Sequence, residues 1–481
     1  MSIDRRQFLQ AAATLGAVSA VPASLAAVAQ LKERKIELTA SAFTAALDPG
    51  SAQRTGVWGF NEQFPGTVLR FKRGERLHAT LTNRLPQATA VHWHGLRVPN
   101  AMDGVPQVTQ DPVAPGASFD YRFDLRDSGT FWYHPHQSSF EQVPRGMYGA
   151  LIVEEDKPPV VDREELWVLS DIKLDEQRQQ VEDFGRIRDI ANDGRLGNQV
   201  LVNGHVAGSE RIIEVRAGER LRLRLINAAS ARFFKLAIEG HDARVIAYDG
   251  HGVTPHALPK GGLPLGPGMR VDLIIDCLRE PGQSFALSDS GRTATAATSL
   301  LGKLAYTPQK ALRGKALTTP IALAPNRIAE PNLAKAVEHF ILFQGGMRGA
   351  PVIGMIDGKP SRIQSIMAEQ GLAWTMNYNA EHEHALTHEP MLYLKKGQSV
   401  KLRMVNETDF THPMHLHGHV FRVLAVDGVA SPHREWRDTV IMGPRQSVDV
   451  AFVADNPGEW MYHCHILDHS AGGMMGTIAV E

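Results

Sequence analysis

The stretch from Arg73 to Gly95, "RGERLHATLTNRLPQATAVHWHG", decides the fold because it returns twice. Ala217 to Gly240 reads "AGERLRLRLINAASARFFKLAIEG", and Lys396 to Gly418 reads "KGQSVKLRMVNETDFTHPMHLHG". In each, a Gly is followed nine residues later by an Asn: Gly74 and Asn83, Gly218 and Asn227, Gly397 and Asn406. Apolar and polar residues alternate between them, which is the pattern of a half-buried strand, and the Asn marks the turn that ends it. A second set of segments follows, "PGASFDYRFDLRDSGTFWYHPH" from Pro115, "PGMRVDLIIDCLREPGQSFALS" from Pro267 and "PRQSVDVAFVADNPGEWMYHCH" from Pro444. Many short strands, Gly/Pro turns and no long helical period predict an all-β chain of three Greek-key β-sandwich domains. Proline content and lost periodicity place them at 31–157, 158–320 and 321–481.

The copies differ where it matters chemically. Counting nine and eleven residues from each Asn gives His92 and His94 in the first copy, Leu236 and Ile238 in the second, His415 and His417 in the third. Five and seven residues after the later strand-opening Gly come His134 and His136, Leu287 and Asp289, His463 and His465. The first and third copies thus carry matching His-x-His pairs and the second is blank, a spacer. Alternation along a strand puts both imidazoles of a pair on one face. Four pairs at equivalent positions of two domains would converge around a pseudo-twofold axis, where eight imidazoles hold a cluster of metals.

Cys464 lies between His463 and His465, so the same alternation points its sulfur to the opposite face, toward a different metal. His469 follows it as Cys-x4-His, Met474 follows His469 as His-x4-Met, and His412 precedes His415 by three. One thiolate, two imidazoles and a weak thioether are the ligand set of a blue-copper electron-transfer site. Zinc is the rival for His and Cys, but a thioether does little for it, and eight His without Cys or Asp is unlike a structural zinc site. Read this way, Cys464 is a wire joining two metal sites.

Composition narrows the partners. A net charge of −1 and no basic run argue against nucleic acid or an anionic membrane surface. Two cysteines make no disulfide framework, and Cys277 is left unpaired, in a strand of the second copy. The opening "MSIDRRQFLQAAATLGAVSAVPASLAA", with Arg5 and Arg6 before a short Ala-rich run, resembles a twin-arginine export signal over 1–30, which implies a periplasmic protein. No later stretch has the apolar length of a membrane span, and a monomer is expected.

"HWHG", "WYHPH", "HPMHLHGH" and "HCHILDHSAGGMM" resemble the four copper motifs of the multicopper oxidases, the family of laccases, bacterial cuprous oxidases and bilirubin oxidases. The resemblance implies cupredoxin-like domains and four copper ions. By it, His412, Cys464 and His469 hold the type 1 copper with Met474 axial, and His92 and His415 hold the type 2 copper. His94, His134, His136, His417, His463 and His465 hold the type 3 pair. The implied reaction couples four one-electron oxidations of a small reductant to reduction of dioxygen to water. Asp103, nine residues after His94, matches the family's proton-relay acid; its other reading is an Asp-Gly turn residue. Relatives often place Glu just after the last type 1 His, where this chain has Ser470, with Asp468 nearby.

Two reductants stay open. A phenol or aromatic amine gives a laccase-like enzyme, and Cu(I) or another low-valent metal ion gives a metallo-oxidase. The 15 Met are scattered without a Met-rich run, which favours the first. A non-catalytic cupredoxin-scaffold protein is the reading from another class, disfavoured because every ligand is present. Glu407 and Asp409 are candidates to face substrate, Met347 and Met355 are expected in the core, and His382, His384 and His388 in a solvated loop. His419 is expected behind the ligands or in a turn.

Overall fold

Each repeated Asn closes the same loop with the same three hydrogen bonds. Asn83 Oδ1 accepts from the Leu85 amide at 2.9 Å, and its Nδ2 donates to the carbonyls of Gln87 at 2.9 Å and Val113 at 2.8 Å. Asn227 does this with Ala229, Arg232 and Leu265, and Asn406 with Thr408, Phe410 and Gly443. All three are fully buried, where an amide has to find its partners inside the protein. Gly74, Gly218 and Gly397 have φ of +84°, +86° and +80°, a conformation costing about 1–2 kcal/mol with a Cβ.

These contacts are drawn from a computed structural model describing residues 31–291, 298–348, 352–356, 358–382 and 389–481. The signal-like opening and His384 and His388 fall outside the described residues. The repeated strands are Arg76–Asn83, Arg220–Asn227 and Gln398–Asn406. Each pairs in parallel with an earlier strand, Glu33–Ala45, Arg163–Ile172 or Val337–Gly345. Each also pairs antiparallel with a later one, Ser118–Asp124, Arg270–Asp276 or Ser447–Ala454. A second sheet in each copy carries the positions singled out above: His92–His94 against Gly129–His134, Phe234–Ile238 against Ser284–Asp289, and His412–Leu416 against Gly458–Cys464. Inward residues of both sheets share one core, as Leu221, Leu223 and Leu225 do with Leu236, Leu287 and Leu304. The protein is all-β, built of cupredoxin-like sandwiches. No helix among the described residues is long and apolar enough to cross a membrane.

The strand register shows where counting from the Gly residues does not give equivalent positions. His92 lies opposite His134 and His415 opposite His463, but Leu236 lies opposite Asp289, not Leu287. The first and third copies start this strand on Gly129 and Gly458, whereas the second starts it at Ser284, two residues after Gly282. An even slip leaves every side chain on its original face, so the apolar pattern does not betray it. Asp289 takes up the amides of Lys235 and Gly291 at its carboxylate.

Leu236 is 5% exposed in the core of the second copy. Leu236→Ala should destabilise the protein by about 2–5 kcal/mol, read as a lower denaturation midpoint, while copper uptake stays unchanged. Copper loss at unchanged stability would show that this strand is not simply packing.

Candidate metal centres

The second sheets of the first and third copies bring eight imidazoles into one buried compartment. His92, His94, His134, His136, His415, His417, His463 and His465 are each at most 3% exposed. His92 stacks on His417 with ring centroids 3.9 Å apart, and His94 stacks on His415 at 3.8 Å. Each stack crosses from one copy to the other, as a pseudo-twofold arrangement requires. Outer ring nitrogens are tied to backbone carbonyls: Nδ1 of His92 to Asp103, of His415 to Asp438, of His134 to Pro135 and of His463 to Cys464, at 2.8–3.0 Å. The inner ones are not. Nε2 of His92, His134, His136 and His415, Nδ1 of His94 and both nitrogens of His465 have no hydrogen-bond partner, and Nε2 of His417 and His463 face each other 3.2 Å apart.

Burial, followed by repulsion among the rings, holds His134, His136, His417, His463 and His465 well below the ordinary imidazole pKa. Burial lowers His94 and His415 too, beyond what Asp438 restores. The rings therefore present lone pairs rather than charges. A buried polar atom left unpaired costs about 1–3 kcal/mol, and so many turned on a common centre form a metal-ligand set.

Two carboxylates hold this set from opposite sides. Asp103 accepts His92 at its carbonyl and His417 Nδ1 at Oδ2, 2.8 Å away. Asp438 accepts His415 at its carbonyl and His94 Nε2 at Oδ1, 3.1 Å away. Both are fully buried. Spacing singled out Asp103 but missed Asp438, which comes after an irregular connection with no fixed offset from a motif. Burial would raise Asp438, yet Arg270, His94 and His415 hold it well below the usual carboxylate range.

The second group is His412, Cys464 and His469. Cys464 Sγ lies 3.6 Å from His412 Nδ1 and 3.8 Å from His469 Nδ1, and the two nitrogens are 3.0 Å apart. His469 Nε2 donates to the Asn192 carbonyl at 2.5 Å. Thr408 Oγ1 gives its own hydrogen to Asn406 Oδ1, so it accepts from His412 Nε2 at 2.8 Å. Both rings thus turn Nδ1 toward the sulfur. Met474 is fully buried, and its carbonyl accepts the Cys464 amide at 3.0 Å. Trp374, whose ring lies 4.4 Å from His469, closes the group from outside. Thr408, Asn192 and Trp374 sit in loops or short strands with no spacing signal.

The remaining candidates sort by exposure. Asp468 lies in a helical turn, Leu467–Ala471, rather than a strand; burial pushes its carboxyl up to about 6, and Oδ2 takes the Arg195 amide. Ser470 is buried beside it with an unpartnered hydroxyl. His419 is buried behind the cluster, its Nδ1 3.3 Å from the His417 carbonyl. Glu407 is exposed and accepts from Gln344, while Asp409 pairs with Arg445. Met347 departs from the expected core position, being 59% exposed, and Met355 is half-buried. His382 is half-buried.

The second copy is more than a spacer. It supplies no ligand, but its Arg270 grips Asp438 at 2.6 Å, and a Cβ on its Gly268 would fall 2.7 Å from His465 Cδ2. Imidazoles with open nitrogens, a thiol facing two more and a buried Met beside it suit copper by donor softness and number.

A family model described as multicopper oxidase matches residues 44–158, another with that description 168–307, and a third 357–481. A solved multicopper oxidase from Pseudomonas thermotolerans superposes with a TM-score of 0.81 at 33% identity, covering 94% of this chain and all of its own. One from Campylobacter jejuni, titled a metallo-oxidase, gives 0.76 at 25% identity, covering 93% and 91%. A multicopper oxidase of Mycobacterium tuberculosis is 29% identical over 86% of this chain and 81% of its own. With family matches in all three copies and a backbone followed nearly end to end, the chain belongs to the multicopper oxidase family.

Proposed function

We propose that this oxidase is laccase-like, taking single electrons from a phenol or aromatic amine and delivering four, with four protons, to one dioxygen to give two waters. The scattered methionines favour an organic reductant, and the observation that carries the electron-transfer reading is the place of Cys464. Its sulfur belongs with His412 and His469, while its chain neighbours His463 and His465 stand among the eight imidazoles. One run of three residues therefore joins both centres through covalent bonds.

In this reading His412, Cys464 and His469, with Met474 axial, hold type 1 copper, and His92 and His415 hold type 2. His94, His134, His136, His417, His463 and His465 hold the type 3 pair. Bound copper supplies reversible one-electron chemistry at the first site and storage of electrons for dioxygen at the cluster. The protein does the rest. His469 is fully buried and donates from Nε2 to the carbonyl of half-buried Asn192, so the Asn192 segment is what stands between the first site and a reductant. Asp103 holds His92 and His417 in place, and its Oδ1, which accepts no hydrogen bond, is the atom from which a proton passes inward. The same proposal divides the chain at 157/158 and 320/321 and, on the strength of Arg5 and Arg6, exports it to the periplasm.

A metal reductant is the second reading, favoured by Met347. Its thioether is exposed, and its Sδ is 3.2 Å from Asn192 Nδ2, beside the route to His469. Steady-state oxygen uptake with a phenol against Cu(I) decides: faster turnover on Cu(I) rejects the laccase-like reading.

Cys464→Ser should abolish the blue thiolate-to-copper band and all turnover while leaving copper at the cluster, seen as a type 2 paramagnetic signal. Cys277→Ser should change neither colour nor turnover; a blue Cys464→Ser protein would overturn the ligand assignment. Asp103→Asn should slow reoxidation by dioxygen about 100-fold, leaving reduction by substrate nearly intact. Stopped-flow measurement of the two half-reactions checks this, and equal slowing of both would remove Asp103 from proton delivery.

A further inference from the structure

Arg270 departs from the internal repeat. Aligned by the segments "PGAS", "PGMR" and "PRQS", it stands where the ligand-bearing copies have Ser118 and Ser447. Ser118 is exposed and Ser447 half-buried, but Arg270 is fully buried. Its guanidinium donates to Asp438 Oδ1 at 2.8 Å and Oδ2 at 2.6 Å, and to the carbonyls of Asp249, Gly268 and Thr130 at 3.0, 3.1 and 3.2 Å. That uses all five of its N–H groups and ties one side chain to all three copies. Space was left for it: a Cβ on Gly95 would lie 2.2 Å from its Nη2.

What this grip does is set by the next bond. Asp438 Oδ1 also receives the Thr439 hydroxyl at 2.8 Å and lies 3.1 Å from His94 Nε2. A carboxylate pinned by a bidentate arginine fork offers only acceptors, so the nitrogen facing it carries the ring hydrogen. A neutral imidazole has one such hydrogen, which leaves the lone pair on Nδ1, the unpartnered atom on the cluster side. His92, His134, His136 and His415 are the other way round, with Nε2 unpartnered.

We propose that Arg270 is a positioning residue for the copper cluster, supplied by the copy that has no ligands: through Asp438 it fixes His94 in the tautomer that presents Nδ1 to the metal. The proposal rests on the copper reading above. Without the fork, Asp438 is free to turn away from Nε2, and nothing then keeps the ring hydrogen off the metal-facing atom.

The test titrates apo-protein with copper against a competing chelator, following the blue band and the paramagnetic signal. Arg270→Gln should lower affinity for cluster copper about 10–100-fold, break the silent coupling of the type 3 pair and leave the blue band unchanged. Arg270→Gln with Asp438→Asn, which leaves neither charge buried alone, should show the same loss and carries the test if the single variant does not fold. Arg220→Gln, which breaks a half-buried bidentate pair with Asp276 in the same copy, should lower thermal stability with copper binding intact. A full, silent type 3 pair in both Arg270 variants overturns the proposal, as does loss of blue colour in step with cluster copper. A wild-type protein that takes up no cluster copper instead brings down the copper reading, and the proposal with it.

Discussion

Imidazoles cannot be packed together in a dry interior unless something satisfies the nitrogens they turn on one another, and that constraint orders the rest of this molecule. The cluster is buried, and burial with mutual repulsion depresses the pKa values of His134, His136, His417, His463 and His465. Four outer nitrogens are satisfied by carbonyls and two by the carboxylates of Asp103 and Asp438, so the inner ones are left for a cation. Each half of the set comes from a different copy and meets the other in the stacks His92/His417 and His94/His415. Metal affinity and the docking of distant parts of the chain are therefore one free energy.

The supports have the same symmetry as the ligands, and then break it. Asp103 and Asp438 each take one ring at a carbonyl and one from the other copy at a carboxylate. Asp438 is further clamped by Arg270, while Asp103 keeps an oxygen without a hydrogen bond. A duplicated domain would give two equivalent aspartates; the intervening copy makes them different. With Leu236 and Ile238 at the positions where the other copies have His, that copy still has a hand in the site through the Arg270 side chain and the bare backbone of Gly268.

What was legible in the sequence follows from what a repeat can reveal. Period-two alternation and three aligned Asn residues give the sandwiches, and His pairs present in two copies but absent from the third give the candidate ligands. The slip that sets Asp289 opposite Leu236 was hidden because an even shift preserves the apolar pattern. Asp438, Thr408 and Asn192 were hidden because their roles depend on where irregular segments return in space. Arg270 was visible as an Arg in a column of Ser, yet in a single strand it reads as one more polar position. Methionine's apolar character points Met347 to the core, yet it is exposed, on a segment that crosses over Ala191 and Asn192.

The two cysteines show how little burial alone says about reactivity. Cys277 and Cys464 are both fully buried, and burial pushes both thiols up, Cys277 to about 12. Tyr306 and Arg163 offset only part of that rise at Cys277, and Cys464 has no cationic side chain to favour the thiolate; the contact that lowers Cys464 is the Ile466 amide, 3.4 Å from its sulfur. Cys277 faces a carbonyl, that of Ile275, and stays an inert apolar filler. Cys464 faces two imidazole nitrogens that are poor partners for a thiol and good partners for a metal. The fold leaves its ionisation to a bound ion, so in the function proposed above electron transfer through Cys464 depends on copper loading rather than on the polypeptide alone.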